Sequence, residues 1–388
     1  MTRAYDSLTV LDLTHVLAGP FCAYQFALLG ADVIKIEPPG DPDCARGRGP
    51  DAQANAAGLG LTYQVQGANK RALALDLARP EGQAVLRRLA AKADVLIENF
   101  STGSLDALGL GAAALRAENP ALIYCSITGY GATGPRAATG AYDNVIQAAA
   151  GVIAQSGGHK PGLSFVDYAT GYAAAFAVAA ALAQRASTGV GAALSVSMLE
   201  TALSMMAPEA VALDHAPLAA KRREAGIVPY ATADGTLVPG VFKPAQYRKL
   251  GACLARLGHP VPQLARIETW QDVWSHAPAL EDALAAIFAT RPAEDWVALL
   301  HADDLPAERV LTLAEAIGAP QVDARGYFAA HPARDDIRLP LGPARFSEGG
   351  PAIRRPPPRM GEHSREILAE HGLPPAEIDA LFAQGVVA

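Results

Sequence analysis

Residues 8–37 read LTVLDLTHVLAGPFCAYQFALLGADVIKIE, and this stretch decides the fold. Leu8–Leu13 is short and mostly apolar, which is typical of a buried strand. Pro20 stands where a helix would begin, because the first helical turn leaves its N–H groups unpaired and proline has none to lose. Cys22–Leu29 is apolar enough for a packed helix, Gly30 ends it, and Val33–Glu37 is a second strand. The stretch therefore predicts a βαβ unit.

The turn between the first strand and the helix predicts a place for an anion to bind. In a βαβ unit the helix N-terminus, with its free N–H groups, lies at the carboxyl edge of the sheet. The Gly-x-Gly-x-x-Gly pattern of dinucleotide-binding proteins is missing from this turn. The sequence therefore argues against a standard NAD site and against a nicotinamide-dependent oxidoreductase.

Strand-like and helical segments continue to alternate as far as about residue 130. This order is typical of an open sheet with helices on its faces, so we predict an α/β fold with a mostly parallel, Rossmann-like sheet. The predicted strands are Arg71–Leu77, Val95–Phe100 and Ala121–Thr128, and the predicted helices are Pro80–Lys92 and Ala112–Glu118.

The rest of the chain predicts a second, smaller domain. Its character changes after Leu218 with the basic run Lys221–Arg223, and residues 230–238 then predict a hairpin with an Asp-Gly turn. We predict a large domain over 1–219, a small α+β domain over 220–325 and a further segment over 326–388. Other predicted elements are helices at 144–154, 167–185, 200–213, 244–257, 280–289 and 293–301, and a strand at 194–198.

Composition argues against several classes of function. The formal net charge of −7 is unfavourable for nucleic acid or an anionic membrane as the main partner. The four cysteines are widely spaced and show neither a metal-ligand nor a disulfide pattern, so we expect no metal and a reducing cytoplasm. We expect no signal peptide, because the first ten residues lack a long apolar run. Tyr168–Gln184 is Ala-rich and only weakly apolar, which favours a buried helix over a membrane span.

Several further segments, taken with the opening one, resemble the family III CoA-transferases. The resemblance extends over nearly the whole chain, and the combination of motifs is specific although each alone is weak. The segments are NKR at 69–71 with LDL at 75–77, ADVLIENF at 93–100, LIYCSITGYG at 122–131, TGP at 133–135, RPPP at 355–358 and GEH at 361–363.

This resemblance implies a function and an assembly. Members of the family move CoA from an acyl-CoA donor to a small carboxylic acid, so CoA is expected as part of the substrate and no tightly bound cofactor is expected. The family also implies that the segment after residue 325 rejoins the large domain, and that two subunits interlock as a homodimer. The substrates themselves are not identified by the sequence.

Asp167 is the main candidate for catalysis. Its position before the Ala-rich helix is by itself typical of an N-cap that accepts hydrogen bonds from first-turn amides. The resemblance instead matches Asp167 to the aspartate that family members use as a nucleophile, through an aspartyl anhydride and an aspartyl-CoA thioester. The two roles are compatible, since a helix N-terminus favours an ionised carboxylate.

Other site residues follow from the resemblance. The backbone N–H groups near Leu17 and Ala18 are expected to stabilise oxyanions, although several relatives carry glutamine where this chain has Leu17. The positions that match CoA contacts in relatives are Val16, Lys70, Asn99, Phe100 and Met198. Each of these also has an ordinary interpretation, as a solvated lysine, a strand-end cap or a core residue.

Recognition of the CoA phosphates is expected to differ from that in some relatives. Pro38 and Ala107 stand where those relatives place arginines. Arg46, Arg48 and Arg71 are candidate substitutes, and each is equally interpretable as a surface charge.

Tyr142 separates two branches of the superfamily. The α-methylacyl-CoA racemases resemble this chain but carry a histidine at the position matching Tyr142, where it acts with the aspartate as an acid/base pair. A tyrosine with an ordinary pKa of about 10 is a poor base at neutral pH, so racemisation is the alternative rather than the leading hypothesis. Lys243 lies in a segment closer to the racemase pattern, either near an acidic substrate group or as an exposed helix-start residue. A non-catalytic CoA-binding protein would be expected to have lost Asp167.

Two histidines are given structural interpretations. His15 is expected to pack against the turn after the first strand. Glu362 and His363 are expected to attach the last segment to the large domain.

Overall fold

The computed structural model of the protein describes residues 3–215 and 223–388. The chain divides into two compact units, one made of the residues up to Ala210 together with Gly326–Ala388, and the other of Val211–Arg325. The predicted boundary at 219 and the basic residues Lys221 and Arg222 fall outside the described residues.

The first unit contains a six-stranded sheet in which every neighbouring pair is parallel. Its strand order is β3-β2-β1-β4-β5-β6, which is the order of a doubly wound Rossmann sheet. The order reverses between β1 and β4, and in such sheets ligands bind beyond the carboxyl ends of the strands at that point. The strands are β1 Thr9–Asp12, β2 Asp32–Glu37, β3 Lys70–Ala74, β4 Val95–Glu98, β5 Ile123–Thr128 and β6 Ala193–Ser197.

Helices fill the connections between these strands, as the alternating sequence pattern predicts. The helices up to residue 215 are α1 Ala18–Leu28, α2 Ala52–Ala56, α3 Leu61–Gly67, α4 Pro80–Ala90, α5 Ser104–Ala107, α6 Ala112–Glu118, α7 Asp143–Ala149, α8 Val152–Gln155, α9 Phe165–Thr188, α10 Met198–Ser204 and α11 Ala207–His215. A short 3₁₀ helix spans Cys44–Gly47.

Both faces of the sheet are covered, because successive residues of a strand point in opposite directions. In β1, Val10 packs in a cluster with apolar side chains of α1 and α9, whereas Leu11 packs in a second cluster with those of α4. Both side chains are completely buried. The first unit is therefore a helix–sheet–helix sandwich.

The helix after β1 begins earlier than predicted. It starts at Ala18 rather than at Pro20, so Pro20 is its third residue and not its first. The structure tolerates this because the third N–H of a helix also lacks an intrahelical acceptor. The earlier start places Leu17 at the N-cap, directly after β1 and its turn.

Other predicted helices differ in extent for local reasons. The helix predicted at 144–154 is interrupted at Gly151, whose φ of 84° is left-handed. The helix predicted at 200–213 is divided, with Pro208 in the first turn of the second piece. The helix predicted at 280–289 begins at Trp270, because Thr269 and Asp272 form a capping box there.

The segment after residue 325 completes the first unit. His363 attaches it to β3, since its Nδ1 accepts a hydrogen bond from the N–H of Ala72 (3.3 Å) and its own N–H donates to the carbonyl of Ala72 (3.0 Å). This confirms the attachment predicted for His363. The segment contains the antiparallel pair β10 Phe328–His331 and β11 Arg334–Pro340, then α17 Ser364–Glu370 and α18 Pro375–Ala383.

The second unit has its own apolar core and a small antiparallel sheet of order β7-β8-β9. The predicted Asp-Gly hairpin is confirmed, with Tyr230 opposite Leu237. Its elements are β7 Tyr230–Ala231, β8 Thr236–Pro239, α12 Pro244–Arg256, α13 Trp270–Phe288, α14 Ala293–Ala302, β9 Ala307–Arg309, α15 Leu313–Ile317 and α16 Pro320–Ala324.

Helix α9 passes a length and composition test for a membrane span, alone among the described helices. A core helix of a soluble protein passes the same test, so this is weak evidence for a membrane protein.

Candidate active site

Two loops meet at the point where the strand order reverses. One follows β1 and contains His15, and the other follows β4 and contains Asn99. The N–H of His15 donates to Oδ1 of Asn99 (3.0 Å), and Nδ2 of Asn99 donates to the carbonyl of His15 (2.9 Å). This reciprocal pair joins the two loops at the carboxyl edge of the sheet, where a doubly wound fold binds its ligand.

The loop after β1 is also held from beneath by buried side chains. The ammonium of Lys35 donates to the carbonyl of Thr14 and lies 3.5 Å from Oδ2 of Asp43. Oδ1 of Asp43 accepts from the N–H of Val16 (3.0 Å), and Nε2 of Gln66 donates to the carbonyl of Val16 (2.7 Å). Side chains thus satisfy both backbone groups of Val16.

These bonds hold Val16 in an unfavourable backbone conformation. Its φ is 73°, which is a strained position for a β-branched residue. Such strain costs on the order of 1–3 kcal/mol and persists only where the surroundings impose it. The consequence is that the chain turns sharply into α1. The N–H groups of Leu17, at the N-cap, and of Ala18, the first helical residue, have no intrahelical acceptor.

Helix α9 packs closely against the start of α1. At Gly171 an added Cβ would lie 2.7 Å from the carbonyl oxygen of Ala18 and 2.8 Å from the ring of Phe21, so only glycine permits this approach. Asp167 stands one helical turn before Gly171 and therefore on the same face of α9. Together with Leu17 and Ala18, it lines one cleft.

Asp167 is not the N-cap of its helix, contrary to the local interpretation of the sequence. Helix α9 begins at Phe165, so Asp167 lies inside its first turn. The cap comes from α7, where Oδ1 of Asp143 accepts from the N–H groups of Val166 (2.9 Å) and Asp167 (3.2 Å). The Asp167 carboxylate is therefore not the group that caps its helix.

The environment of Asp167 also opposes its ionisation. Burial and, second, the neighbouring charge of Asp143 raise the pKa of Asp167 to about 7. The favourable effect expected from the helix N-terminus is therefore outweighed. A buried carboxyl with a pKa near neutrality, lining a cleft, is typical of a functional group.

The cleft has a volume of about 530 Å³ and brings together most of the predicted site residues. These are Val16, Leu17, Ala18, Asn99, Phe100, Tyr142, Asp167 and Met198. Tyr142 is 64% exposed, and His15 has its ring 6.3 Å from that of Phe100. His15 is exposed and its ring faces Phe100 of the loop after β4, so the prediction that it packs against the turn after β1 is not confirmed.

Lys70 is not brought to this cleft. It is buried in β3, where its ammonium lies 2.7 Å from Oδ2 of Asp12 and donates to the carbonyl of Pro20 (2.9 Å). Both side chains of the ion pair are buried. The prediction that Lys70 binds a CoA phosphate is therefore corrected, because its donors are committed within the sheet.

Two of the three candidate phosphate-binding arginines are likewise committed. Arg46 pairs with Glu37 (2.6 Å), and Arg71 pairs with Asp32 (2.5 Å) and with two glutamates of α17. Arg48 is exposed and lines a second cavity that also reaches Asp167. Lys243, in the second unit, is an exposed residue at the start of α12.

Sequence reasoning missed several residues that build the site. Asp143 and Gln66 lie far along the chain from the groups they bind, and no local pattern marks them. Ser101, Thr102 and Ser104 line the cleft beside Phe100, in the loop directly after the recognised ADVLIENF strand. Among residues 3–215 and 223–388, no group of three or more His, Cys, Asp or Glu side chains is placed to hold a metal ion.

The chain is similar to known proteins over nearly its whole length. A sequence model described as CoA-transferase family III matches residues 5–364. A succinate–glutarate CoA-transferase of Agrobacterium fabrum is 32% identical in an alignment of 381 positions, which covers 94% of this chain and 95% of that protein. A succinyl-CoA–D-citramalate CoA-transferase of Chloroflexus aurantiacus is 31% identical. That alignment covers 99% of this chain and 98% of the other protein. The solved structure of a CaiB/BaiF family protein from Brucella suis matches with a TM-score of 0.80 at 31% identity, over 96% of this chain and 100% of that one.

Proposed function

The chain belongs to the family III CoA-transferases, and on that basis we propose that it moves CoA from an acyl-CoA to a small carboxylic acid, with Asp167 as the nucleophile. The observation that carries this proposal is the buried Asp167 carboxyl, which lines one cleft with the first-turn N–H groups of α1. The relatives that transfer CoA between named acids support the same reaction class.

The proposed reaction uses covalent catalysis. An Asp167 oxygen attacks the thioester carbonyl, the C–S bond breaks, and CoA thiolate leaves a mixed anhydride on Asp167. The thiolate then attacks Cγ of Asp167, which releases the donor acid and forms an aspartyl-CoA thioester. The acceptor carboxylate attacks the same Cγ, forming a second anhydride and freeing the thiolate. The thiolate takes the acceptor acyl group, and the Asp167 carboxylate is restored.

Each tetrahedral intermediate carries negative charge on oxygen, and the N–H groups of Leu17 and Ala18 are the proposed donors to it. They belong to a turn that is held by Asn99, Asp43 and Gln66, so they need no reorganisation during the reaction. The side chain of Leu17 offers no donor, so this chain relies on the backbone where some relatives have glutamine.

CoA is proposed to lie in the cleft beside these donors. Val16, Phe100 and Met198 offer apolar contacts to the pantetheine arm or adenine. Asn99 acts on the loop backbone through its reciprocal bonds with His15. None of the lysines and arginines among the described residues lines this cleft, so hydroxyls and N–H groups of Ser101–Ser104 are the proposed phosphate donors, in place of Lys70.

The proposal is tested by offering the protein a panel of acyl-CoAs and a pool of free carboxylic acids in D₂O, with mass spectrometry of the CoA esters. A new acyl-CoA made from a pool acid is the expected result. Deuterium at the α-carbon of an unchanged acyl-CoA would instead support the racemase alternative. With an ¹⁸O-labelled acceptor, the anhydride route predicts one ¹⁸O atom transferred to Asp167.

Transfer is expected to depend on pH through Asp167, because only its carboxylate attacks and its pKa is raised to about 7. The value of kcat/KM should rise through pH 7 and become constant above about pH 8.

In Asp143→Asn the neighbouring charge is removed while the side-chain oxygen still caps α9. The midpoint should then fall by roughly one pH unit, and not further, because burial is the larger cause.

This expectation is measured as kcat/KM between pH 5 and 9 for wild type and Asp143→Asn. Asp379→Asn, which removes an exposed carboxylate on α18, is the matched control and should leave the midpoint unchanged. An identical midpoint in wild type and Asp143→Asn would contradict the role given to Asp143.

Gln66 is expected to matter for turnover although it touches neither substrate nor Asp167. Gln66→Met keeps the buried volume but removes the donor to the Val16 carbonyl, so the strained turn relaxes and the donors at Leu17 and Ala18 lose their position. We expect kcat to fall about tenfold with little change in the KM for acyl-CoA. Gln64→Met is the matched control, since Gln64 is also buried and donates to a loop carbonyl, that of Leu59. Equal losses of kcat in both variants would show only a general structural effect.

We also propose that the protein is a cytoplasmic homodimer whose subunits interlock, as the family implies. Support comes from α9, an apolar helix whose outer face leaves Phe176 77% exposed and Tyr172 41% exposed. Such a patch is typical of a surface covered by another subunit. Sedimentation equilibrium of the wild type should give twice the mass of 40.2 kDa.

A further inference from the structure

Helix α7 carries a completely buried glutamine that the proposed reaction does not use. Gln147 stands one helical turn after Asp143, so the two side chains lie on the same face of α7. Its Nε2 donates to Oδ2 of Asp143 and to the carbonyl of Leu163 (3.1 Å), which belongs to the loop before α9. Gln147 thus joins the residue that caps α9 to the loop that leads into α9.

Asp143 is held between this glutamine and the first turn of α9. Its Oδ2 accepts from Gln147, and its Oδ1 accepts from the N–H groups of Val166 (2.9 Å) and Asp167 (3.2 Å). An ionised carboxylate is an acceptor only, and all three of these partners are donors. The surroundings of Asp143 are therefore matched to a charged carboxylate in this one orientation.

The buried amide of Gln147 contributes as a donor rather than as bulk. In the part of the chain that the structure describes, its Oε1 has no hydrogen-bond partner. A buried acceptor without a partner lowers stability, whereas a methionine or leucine would fill similar space without burying such a group. The two hydrogen bonds that Nε2 donates are therefore the better explanation of a glutamine at this position.

Resting on the proposed function, we infer that Gln147 is a positioning residue for Asp167 and acts on it through Asp143. Its Nε2 keeps the Asp143 carboxylate against the first turn of α9, beside the reacting carboxyl. Without this donor, Asp143 can turn away from α9 or take up a proton. In either case the first turn of α9 loses part of its cap, and Asp167 loses part of the like charge beside it.

The pH dependence of transfer reports on this arrangement. Burial and, second, the charge of Asp143 raise the pKa of Asp167, so a weaker or more distant charge at position 143 lowers the midpoint of kcat/KM. None of the other titratable or charged side chains that line the two cavities with Asp167 is changed in the variants below. These side chains are His15, Arg48, Tyr142, Lys160 and Tyr168.

The inference is tested by measuring kcat and kcat/KM between pH 5 and 9 in wild type, Gln147→Met, Asp143→Asn and the double variant. In Gln147→Met the midpoint should fall by roughly half a pH unit, and kcat at high pH should fall about 5- to 10-fold. In Asp143→Asn the oxygen at position 143 caps α9, so the amide nitrogen faces Nε2 of Gln147, donor against donor. Adding Gln147→Met to that variant should therefore leave the midpoint unchanged and kcat within about twofold.

Gln83→Met is the matched control, because Gln83 lies in α4 and its Nε2 also donates to a loop carbonyl, that of Leu77 (3.1 Å). It should change neither kcat nor the midpoint. An unchanged midpoint in Gln147→Met would overturn the inference. Equal effects of Gln147→Met in wild type and in Asp143→Asn would also overturn it, since Gln147 would then act by another route. Circular dichroism checks the fold of each variant, and Gln147→Leu replaces the methionine variant if that one does not fold.

The role of Gln147 is also measurable without turnover. If no acid is a substrate, the proposed function fails, and the titration of Asp167 is followed by ¹³C NMR of protein labelled at Cγ of aspartate, with Asp167→Asn to assign the signal. The midpoint should be lower in Gln147→Met than in wild type, and the same in Asp143→Asn with and without Gln147→Met. Identical midpoints in wild type and Gln147→Met would overturn the inference in this experiment too.

Discussion

Asp167→Asn is expected to lower CoA transfer by about 10⁴-fold or more, because an amide cannot form the anhydride through which the acyl group passes. The variant should still fold and bind CoA, since asparagine has nearly the shape of the protonated carboxyl. Turnover is measured with the donor and acceptor found in the screen, and binding by calorimetry with CoA. Asp167→Ala is the companion variant, because asparagine can deamidate to aspartate during storage. Transfer above about 1% of wild type in the alanine variant would exclude Asp167 as the nucleophile.

The same substitution is expected to stabilise the protein at alkaline pH. The pKa of Asp167 is about 7 in the folded protein, and an unfolded aspartate titrates near 3.9. The folded state therefore holds the proton more tightly, and this carboxyl destabilises the fold increasingly as the pH rises from about 4 to about 7. Three pKa units correspond to about 4 kcal/mol, so Asp167→Asn should raise the free energy of unfolding by up to that amount at pH 8.

This effect should vanish in acid, where both the folded and the unfolded carboxyl are protonated. Urea unfolding of wild type and Asp167→Asn at about pH 3 and pH 8 measures the difference at each pH. A gain in stability that is the same at both pH values would show that ionisation of Asp167 is not its cause. A gain only at pH 8 would mean that the catalytic carboxyl is maintained at the expense of stability.

Lys70→Met is expected to cost about 3–5 kcal/mol of the free energy of unfolding, because it leaves the completely buried Asp12 carboxylate without its principal counter-charge. Burial alone raises the pKa of Asp12, but Lys70 and Lys35 together hold it below its ordinary value, so the pair is charged in the fold. Thr14 also donates to Asp12, at the start of the loop that leads to the site. Loss of the Lys70–Asp12 ion pair is therefore expected to destabilise the core beneath the site.

The double variant Asp12→Asn with Lys70→Met distinguishes this role from phosphate binding. With both charges removed it should recover much of the lost stability, since no uncompensated charge remains in the sheet. The KM for acyl-CoA should stay within about twofold of wild type in folded protein, because no contact of Lys70 with the ligand is lost. Wild-type stability in Lys70→Met together with a raised KM would restore the sequence-based assignment of Lys70 to CoA.

The sequence predicted those parts of the fold that depend on neighbouring residues. The alternation of β-branched runs with helical segments is enough for an open parallel sheet. Strands such as β4 carry buried apolar side chains on both faces, Val95 on one and Leu96 on the other, because helices cover both. The first and last residues of the helices were less predictable, because a single capping or helix-breaking residue can decide them. Pro20 indicated a helix start, but it is compatible with the third helical position as well as the first, and the helix begins at Ala18.

The site was predictable where it follows a motif and unpredictable where it depends on distant partners. Val16, Asn99 and Phe100 follow strand ends that meet at the reversal of strand order, so motif and topology agree on them. The cap of α9 comes from Asp143, which stands 23 residues before Val166 in the chain, and no local pattern reveals it. The NKR motif suggested that Lys70 binds CoA. The structure instead pairs its ammonium with the buried carboxylate of Asp12, which no local pattern connects with it.

The way the last segment completes the first unit has a consequence for synthesis on the ribosome. The core beside β3 includes Leu73 and Leu75 together with Ile367 and Val387, and Leu75 forms a β-bridge with Val387. Translation produces all of the second unit before these later residues exist. At about 5–20 residues per second, the nascent first unit has to wait with the part of its core beside β3 uncovered while the second unit emerges and folds. We expect the emerging chain to need chaperone protection during that interval, and a stop codon placed before Ile367 to yield aggregates rather than a smaller enzyme.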